Sequence, residues 1–340
     1  MFYKAIIQGR LEFGTEKSYS KVHKMYEYRT ENYYKNALIF KSEDVFIESE
    51  CALFIPRHVS QVLEKSFKNT TSLLEYCSQF AVSGSVRAWL INEGKIMHYF
   101  EIEPESDKAA VQSFLKGRKL VKESGKEEEA IQALTKAIEK YDRHAQAYER
   151  RAKVNFILKK YHDAKRDYGK SIGIDPTIPT SYYGRAKVHV LEENYQEAVN
   201  DLEKATKNSI ALQSIYWKAR RLKATCHIKL GQYEKAAFDL KFYTMRKFKE
   251  EDINFHFKKW GLYNYGISLL EIKEYEDALN AFDKALTYEN NSYFKIKDSE
   301  LIRNRGYAKR LAGKKGYITD LKQAIKLGDK KAQKLLKELA

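Results

Sequence analysis

Small and large apolar residues recur at a fixed distance along the middle of this chain. Ala130, Ala164 and Ala198 lie 34 residues apart, and each is followed four positions later by a large residue and seven positions later by a small one. Residues at these separations share one face of a helix. The surrounding pattern occupies 128–137, 162–171 and 196–205. A period of this length predicts a solenoid of helix pairs, and such solenoids present long concave surfaces for binding.

Each predicted pair begins with a helix that carries a large residue followed four positions later by a small one. These couples are Tyr148 and Ala152, Tyr182 and Ala186, and Leu262 and Gly266. Glycine marks several of the turns that follow, at Gly125, Gly231 and Gly313. The second helix opens with an aromatic residue three positions before its key small residue, at Tyr161, Tyr195, Tyr233 and Tyr275.

These recurring small, large and aromatic positions resemble the tetratricopeptide repeat family over about residues 107–328. The resemblance implies a mainly α, right-handed solenoid of about six helix pairs, at roughly 107–142, 145–178, 179–212, 213–250, 255–290 and 295–328. Residues 329–340 are interpreted as a C-terminal helix that caps the last apolar face. Two units depart from the pattern, because Tyr243 stands where a small residue is usual and Tyr317 stands where the key alanine is expected.

A basic and an acidic residue also recur 15 or 16 positions apart, one on each helix of a predicted pair. The couples are Arg151 with Asp167, Arg185 with Asp201, Arg305 with Asp320, and Lys223 with Asp239. We interpret them as structural ion pairs that set the packing of the two helices. A charge that is paired in this way is less available to a ligand.

Residues 1–106 lack the repeat and predict a small α/β domain. The predicted elements are a strand at 5–13, a helix at 16–38, a strand at 44–55, a helix at 58–80, and a hairpin of strands at 86–91 and 96–102. We recognise no family in this segment. Its histidines, His23, His58 and His98, have no metal-ligand spacing, and it contains no glycine-rich phosphate loop. The sequence therefore predicts no enzyme, no metal and no cofactor.

Charge divides the chain at the same place. The net charge is +16, but residues 1–106 carry 13 basic and 14 acidic residues, which leaves 49 basic and 32 acidic residues for 107–340. A basic solenoid attracts acidic protein segments or nucleic acid, although scattered lysines are also typical of a solvated surface. The three cysteines, Cys51, Cys77 and Cys226, match no metal or redox motif. Without a signal-like N-terminus or a membrane-length apolar run, we expect a cytoplasmic protein that does not contact membranes.

The family resemblance places the first helix of each pair along the concave side of the solenoid. It implies a groove with eight candidate partner-binding residues: Arg150, Lys153, Tyr183, Lys187, Lys218, Arg221, Tyr263 and Asn264. Five of them are basic, and tyrosine and arginine are frequent energetic anchors at interfaces. The sequence therefore predicts a non-enzymatic scaffold or adaptor for protein binding, with an acidic polypeptide segment in the groove.

Two alternatives stay open from the sequence. Nucleic-acid binding, to RNA in particular, would use the same basic surface but requires a continuous basic track with interleaved aromatic residues. An unrecognised enzyme activity could instead reside in residues 1–106. An adaptor for chaperone tails is not expected, because the family's carboxylate clamp is broken. The matching positions are Phe114, Arg118, Arg150, Thr180 and Gly184.

Overall fold

The computed structural model describes residues 1–339 and divides into two compact units, residues 1–188 and the residues from His189 onward. The predicted boundary at residue 106 falls inside the first unit, between the last strand and the first helix of the predicted solenoid. The division into a 1–106 domain, a 107–328 solenoid and a 329–340 cap stays a prediction.

The N-terminal part of the first unit is a five-stranded antiparallel sheet in the order β2-β3-β1-β4-β5. The strands are Phe2–Glu12 (β1), Phe46–Ile47 (β2), Ala52–Leu63 (β3), Ser83–Asn92 (β4) and Lys95–Ile102 (β5). The helices are Glu16–Asn32 (α1), Ser42–Val45 (α2) and Glu64–Ser78 (α3). Alternate strand residues such as Ile7, Leu11 and Leu90 share one buried core with Tyr26 of α1 and Phe67 of α3.

The predicted bounds of two elements of this part were wrong. The strand expected at 44–55 is divided between β2 and the start of β3, and β3 continues through Pro56 to Leu63. The helix expected at 58–80 therefore exists only as α3, from Glu64 to Ser78. The predicted helix at 16–38 is also shorter. The hairpin of β4 and β5 is confirmed.

Pro56 is tolerated in β3 because it lies on an edge of the sheet. β2 pairs with β3 only as far as Leu53, so the rest of that side has no neighbouring strand. The register against β1 also shifts between Ile7 and Gly9, next to the proline. A missing N–H costs no ladder hydrogen bond at an edge or a bulge. Val59 is 49% exposed, so the first apolar residues of the predicted helix belong to a half-exposed strand.

Helix pairs follow the sheet, as the repeat predicts. In the first unit they are Ala109–Leu120 (α4), Glu127–Lys140 (α5), Ala145–Ile157 (α6) and Tyr161–Ile174 (α7). The next helix, Pro179–Leu191 (α8), contains the division between the units. The second unit contains Tyr195–Lys207 (α9), Ser214–Lys229 (α10), Tyr233–Met245 (α11), Lys258–Glu271 (α12), Tyr275–Leu286 (α13), Asp298–Leu311 (α14), Tyr317–Lys326 (α15) and Lys330–Leu339 (α16).

Glycine on a first helix makes room for a large side chain on its partner helix. A Cβ atom on Gly117 of α4 would lie 2.6 Å from Cγ of Leu134 on α5. A Cβ atom on Gly266 of α12 would lie 2.6 Å from Cε1 of Phe282 on α13. Atoms in a packed interior do not approach this closely without a shift of the structure. The recurring small residue of a first helix therefore makes room for the recurring large residue of the second helix that packs against it.

The irregular residue Tyr243 of α11 is accommodated by another glycine. A Cβ atom on Gly261 of α12 would lie 2.8 Å from the Tyr243 ring, so the ring fits only because Gly261 has none. The Tyr243 hydroxyl donates a hydrogen bond of 2.7 Å to the carbonyl oxygen of Asn254. The long connection between α11 and α12 thus has a buried tyrosine as its anchor.

The recurring charge couples are ion pairs within helix pairs. Arg151 contacts both carboxylate oxygens of Asp167 at 2.7 and 2.9 Å, and Arg305 contacts both oxygens of Asp320 at 2.8 and 2.7 Å. The two aspartates are almost completely buried. A charge buried in this way needs a partner, so these pairs fix the packing of the two helices.

The remaining couples are only partly as predicted. Asp239 is held by Arg220, with 2.9 Å between Nε and Oδ1, in addition to the predicted Lys223 at 3.3 Å. Arg185 and Asp201 belong to different units, and their pairing stays a prediction. At the end of the second unit, Ala332 of α16 is buried together with Leu321 of α15, as a capping helix requires.

None of the helices in residues 1–339 is long and apolar enough to cross a lipid bilayer. The same residues contain no group of three or more His, Cys, Asp or Glu side chains that could bind a metal ion. Cys51, Cys77 and Cys226 are free thiols, and burial raises the pKa of Cys226 to about 12.

Candidate partner-binding faces of the helix pairs

The face of the sheet that its helices leave uncovered lies against the turns between the first helix pairs. Gln8 of β1 donates to the carbonyl oxygen of Thr177, in the turn after α7, at 3.1 Å, and Arg87 of β4 donates to the same oxygen at 2.7 Å. Ser83 donates to the carbonyl oxygen of Arg143, in the turn before α6, at 3.2 Å. The contacts are polar, and they fix the sheet relative to the helices of the first unit.

A cluster of charges completes this contact. The carboxylate of Glu12, only 1% exposed, accepts from Arg10 at 2.6 Å, from the hydroxyl of Tyr141 at 2.7 Å and from Arg143 at 3.3 Å. Glu50 bridges Arg10 and Arg143. Burial acts to raise the pKa of Glu50, but the two guanidinium groups outweigh it and hold the pKa below its ordinary value. The cluster is neutralised internally, so we assign it a structural role.

A buried histidine starts the first helix of the second pair. His144 precedes α6, and its Nδ1 atom accepts from the backbone N–H of Ala147 at 3.4 Å. Its ring packs on Phe114 of α4, with 4.6 Å between the ring centroids. Burial lowers the pKa of His144 to about 3, so the ring is neutral in the folded protein.

A basic residue follows the small residue of three successive first helices. These couples are Gly117 and Arg118 on α4, Ala152 and Lys153 on α6, and Ala186 and Lys187 on α8. Arg118 is ion-paired with Glu103, directly after β5. Burial raises the pKa of Glu103, while Arg118 and Arg150 act in the opposite direction by stabilising its carboxylate. The basic residue of α4, Arg118, is therefore already paired with a carboxylate of the same chain.

Four of the predicted site residues lie in the first unit. Arg150 is half buried on α6, and Lys153, one position after Ala152, is exposed to solvent. The Lys187 ammonium lies 3.9 Å from the ring centroid of Phe156 and 5.7 Å from that of Tyr183. Aromatic faces attract cations, and a cation held in this way is pre-ordered for an anion.

The other four lie in the second unit, on α10 and α12. The Arg221 guanidinium lies 3.6 Å from the ring centroid of Phe257, next to α12, and Lys218 is half buried one turn earlier. The Tyr263 hydroxyl donates to Glu300 of α14 at 2.8 Å. Burial and this carboxylate raise the pKa of Tyr263 above its ordinary value. Asn264 donates to the carbonyl oxygen of Trp260 at 2.9 Å.

The sequence does not predict the aromatic rings that hold the cations, or the basic residue Arg118 that is paired with Glu103. Phe156 and Phe257, which hold the cations of Lys187 and Arg221, were not among the candidates. In the sequence, Arg118 stands only as a mismatched position of the family's carboxylate clamp. Its place directly after the small residue Gly117, as Lys153 follows Ala152, was the signal that could have identified it.

Comparison with known families matches the middle of the chain. Two models of the tetratricopeptide repeat match residues 145–178 and 183–240. Neither of them reaches residues 1–144. A segment of 78 residues is 32% identical to serine/threonine-protein phosphatase T of Aspergillus oryzae, and the match spans 23% of this chain but only 16% of the phosphatase.

Solved structures are similar in fold. YrrB, described as a TPR protein with an unusual peptide-binding site, is 22% identical, with 61% of this chain and 98% of YrrB covered and a TM-score of 0.51. PilF of Pseudomonas aeruginosa is 15% identical, with 68% of this chain and 98% of pilF covered and a TM-score of 0.48. At these identities the similarity to YrrB shows the fold alone.

Proposed function

Because residues 145–240 of this chain are tetratricopeptide repeats, we propose that the protein is a non-catalytic interaction scaffold that binds an acidic polypeptide segment on the basic faces of its first helices. Repeat proteins of this kind are generally scaffolds for other proteins. The proposal extends to this chain the kind of binding that YrrB is described as having on the same fold.

The observation that carries the proposal is the ion pair between Glu103 and Arg118. It places a carboxylate of an extended segment on the basic position of a first helix. The same position is Lys153 on α6 and Lys187 on α8, and Lys153 is exposed. Charge-assisted contacts to carboxylates are stronger and more directional than neutral ones. An acidic segment that continued from the position of Glu103 would therefore meet a cation on each following first helix of this unit.

The aromatic rings beside the cations support a polypeptide partner. Phe156 and Tyr183 in the first unit, and Phe257 in the second, form apolar surface next to Lys187 and Arg221. Interfaces use such aromatic and arginine side chains as anchors, with charges at the rim that steer association. We place this binding in the cytoplasm, where free thiols such as Cys77 stay reduced.

The test is affinity capture of the full chain from native lysate, with and without nuclease, followed by mass spectrometry. The proposal expects a defined protein that contains an acidic segment and survives nuclease. The variant K153E/K187E should lose it, while the matched variant K136E/K170E, which reverses two exposed charges on second helices, should keep it. Loss of all partners on nuclease treatment would favour RNA binding and contradict the proposal.

A further inference from the structure

One second helix differs from all the others in the residues that it turns to solvent. We define the outer row of a second helix as the residues two, six and nine positions after its key small residue, or after Tyr317 in α15. All eighteen positions of the six rows are exposed. The rows are Gln132, Lys136 and Glu139 in α5; Arg166, Lys170 and Gly173 in α7; Asn200, Lys204 and Lys207 in α9; Phe238, Phe242 and Met245 in α11; Asn280 and Lys284 in α13 with Thr287 directly after it; and Thr319, Gln323 and Lys326 in α15.

Only the outer row of α11 is apolar. Phe238 is 59% exposed, Phe242 is 43% exposed and Met245 is 71% exposed. The fold does not require apolar residues at these positions, because the other five rows are polar or glycine and have the same exposure. Contiguous exposed apolar side chains mark interaction sites more often than single ones do. The fold therefore does not explain the apolar outer row of α11, since the five other rows lie at equivalent positions without it.

The row is held in a defined arrangement. The rings of Phe238 and Phe242 pack edge to face, with 5.0 Å between their centroids. The Arg220 guanidinium lies 5.5 Å from the first centroid and 4.6 Å from the second, and its Nε atom is fixed by the buried Asp239 at 2.9 Å. Pre-ordered aromatic side chains lose little entropy on binding and so are efficient anchors.

The surroundings of the row indicate what it binds. Along α11 and just after it, the exposed basic side chains next to the row, Lys235, Lys241, Arg246 and Lys247, outnumber the acidic Glu234. Beside the row is an open groove of about 570 Å³. Leu262 and Ala281, both buried, contribute to its lining, and Met245 and Lys241 line it on the α11 side. Asp277 is the single carboxylate among its lining residues.

We propose that the α11 outer row and this groove form a second docking site, which binds an acidic amphipathic helix of another protein. An amphipathic helix presents apolar residues at i, i+4 and i+7, the same spacing as the row, and can insert a side chain into a groove. A flat anionic membrane cannot enter the groove. Acidic residues on the flanks of the helix would meet Lys235, Lys241, Arg246 and Lys247. This site does not rest on the function proposed for the first helices.

The test is fluorescence anisotropy with a labelled peptide of about 18 residues that has leucine at i, i+4, i+7 and i+11 and glutamate on both flanks. The variant F238N/F242Q/M245T, which gives α11 a polar, uncharged row like those of the other helices, should weaken binding by at least about tenfold. The matched variant T319A/Q323A, which changes two outer-row residues of α15 that do not line the groove, and the first-helix variant K153E/K187E should bind as the wild type does. Circular dichroism checks that each variant is folded.

Parallel titrations use vesicles of phosphatidylserine with phosphatidylcholine, a single-stranded RNA, and the same peptide with lysine in place of glutamate. None of these should bind through the row. Equal peptide binding by the wild type and by F238N/F242Q/M245T would overturn the proposal. The proposal would also be overturned if vesicles or RNA bound through the row and the acidic peptide did not bind.

Discussion

His144 should make the first unit sensitive to mild acid, because its imidazole is buried and neutral in the folded chain. Its folded-state pKa is about 3, against an ordinary value of about 6.5 in the unfolded chain. Below about pH 6.5 the unfolded state therefore binds a proton that the folded state does not. The stability that the neutral ring contributes is present above pH 6.5 and is lost as the pH falls through this window toward 3.

The size of the effect follows from the width of that window. Each pH unit below the unfolded pKa costs about 1.4 kcal/mol, so lowering the pH from about 7.5 to about 5 should remove roughly 2 kcal/mol through this one group. The variant His144→Asn removes the titration and keeps a side-chain acceptor for the N–H of Ala147, because asparagine is a favoured residue at this helix position.

The assay is urea unfolding of the full chain at both pH values, followed by tryptophan fluorescence, since Trp89 is buried in the first unit. The wild type should lose roughly 2 kcal/mol more than His144→Asn between the two pH values. His162→Asn, which replaces an exposed histidine on α7 of the same unit, should behave as the wild type does. Equal losses in the wild type and His144→Asn would refute the burial argument.

Two further predictions concern helix packing in the first unit and are read from the same unfolding curves. Gly117→Ala should destabilise the unit by about 1–3 kcal/mol because its Cβ would collide with Leu134. Gly173→Ala on α7, whose added Cβ would meet no other side chain within 4 Å, should instead stabilise the unit by about 0.5–1 kcal/mol. A neutral Gly117→Ala would contradict the close approach of α4 and α5. Arg151→Met should cost about 3–5 kcal/mol because it leaves Asp167 buried without its main partner, and the double variant R151M/D167L should recover much of that loss. If both variants lose the same amount, the ion pair does not set this packing.

The helix pairs could be predicted from the sequence because each contact is local and repeated. A small residue such as Ala164 and a large one such as Tyr168 are close in the chain, and their period is visible without any knowledge of the fold. The sequence shows that Tyr243 is irregular but does not predict that Gly261 makes room for its ring. Gly261 lies on the following first helix, and the repeat pattern gives no reason to connect the two residues.

The N-terminal sheet was predicted less well, since its strands pair over long distances. An isolated proline argues against a strand only if the strand is central, and the sequence does not say that the part of β3 around Pro56 is an edge. The apolar spacing from Val59 onward fits a helix and a strand about equally well over so few residues. The pairing of strands decides between them, and that is a property of the whole sheet.

The candidate site was predicted at the level of its helices and not of its contacts. The basic residues Lys153 and Lys187 follow from the repeat, but the ion pair of Glu103 with Arg118 depends on how the sheet packs against α4. The apolar outer row of α11 was visible in the sequence by alignment of the second helices. The family resemblance assigns binding to the first helices and so does not predict it.

The central claim, that the first helices bind an acidic segment, is tested most directly by titrating the acidic segment of the captured partner, as a labelled synthetic peptide, into three proteins. These are the wild type, K153E/K187E and the matched K136E/K170E. Each reversal replaces an attraction by a repulsion and costs about 1 kcal/mol, so K153E/K187E should bind roughly 30-fold more weakly. K136E/K170E should bind as the wild type does. Equal affinities of all three proteins, or equal losses in both variants, would contradict the account.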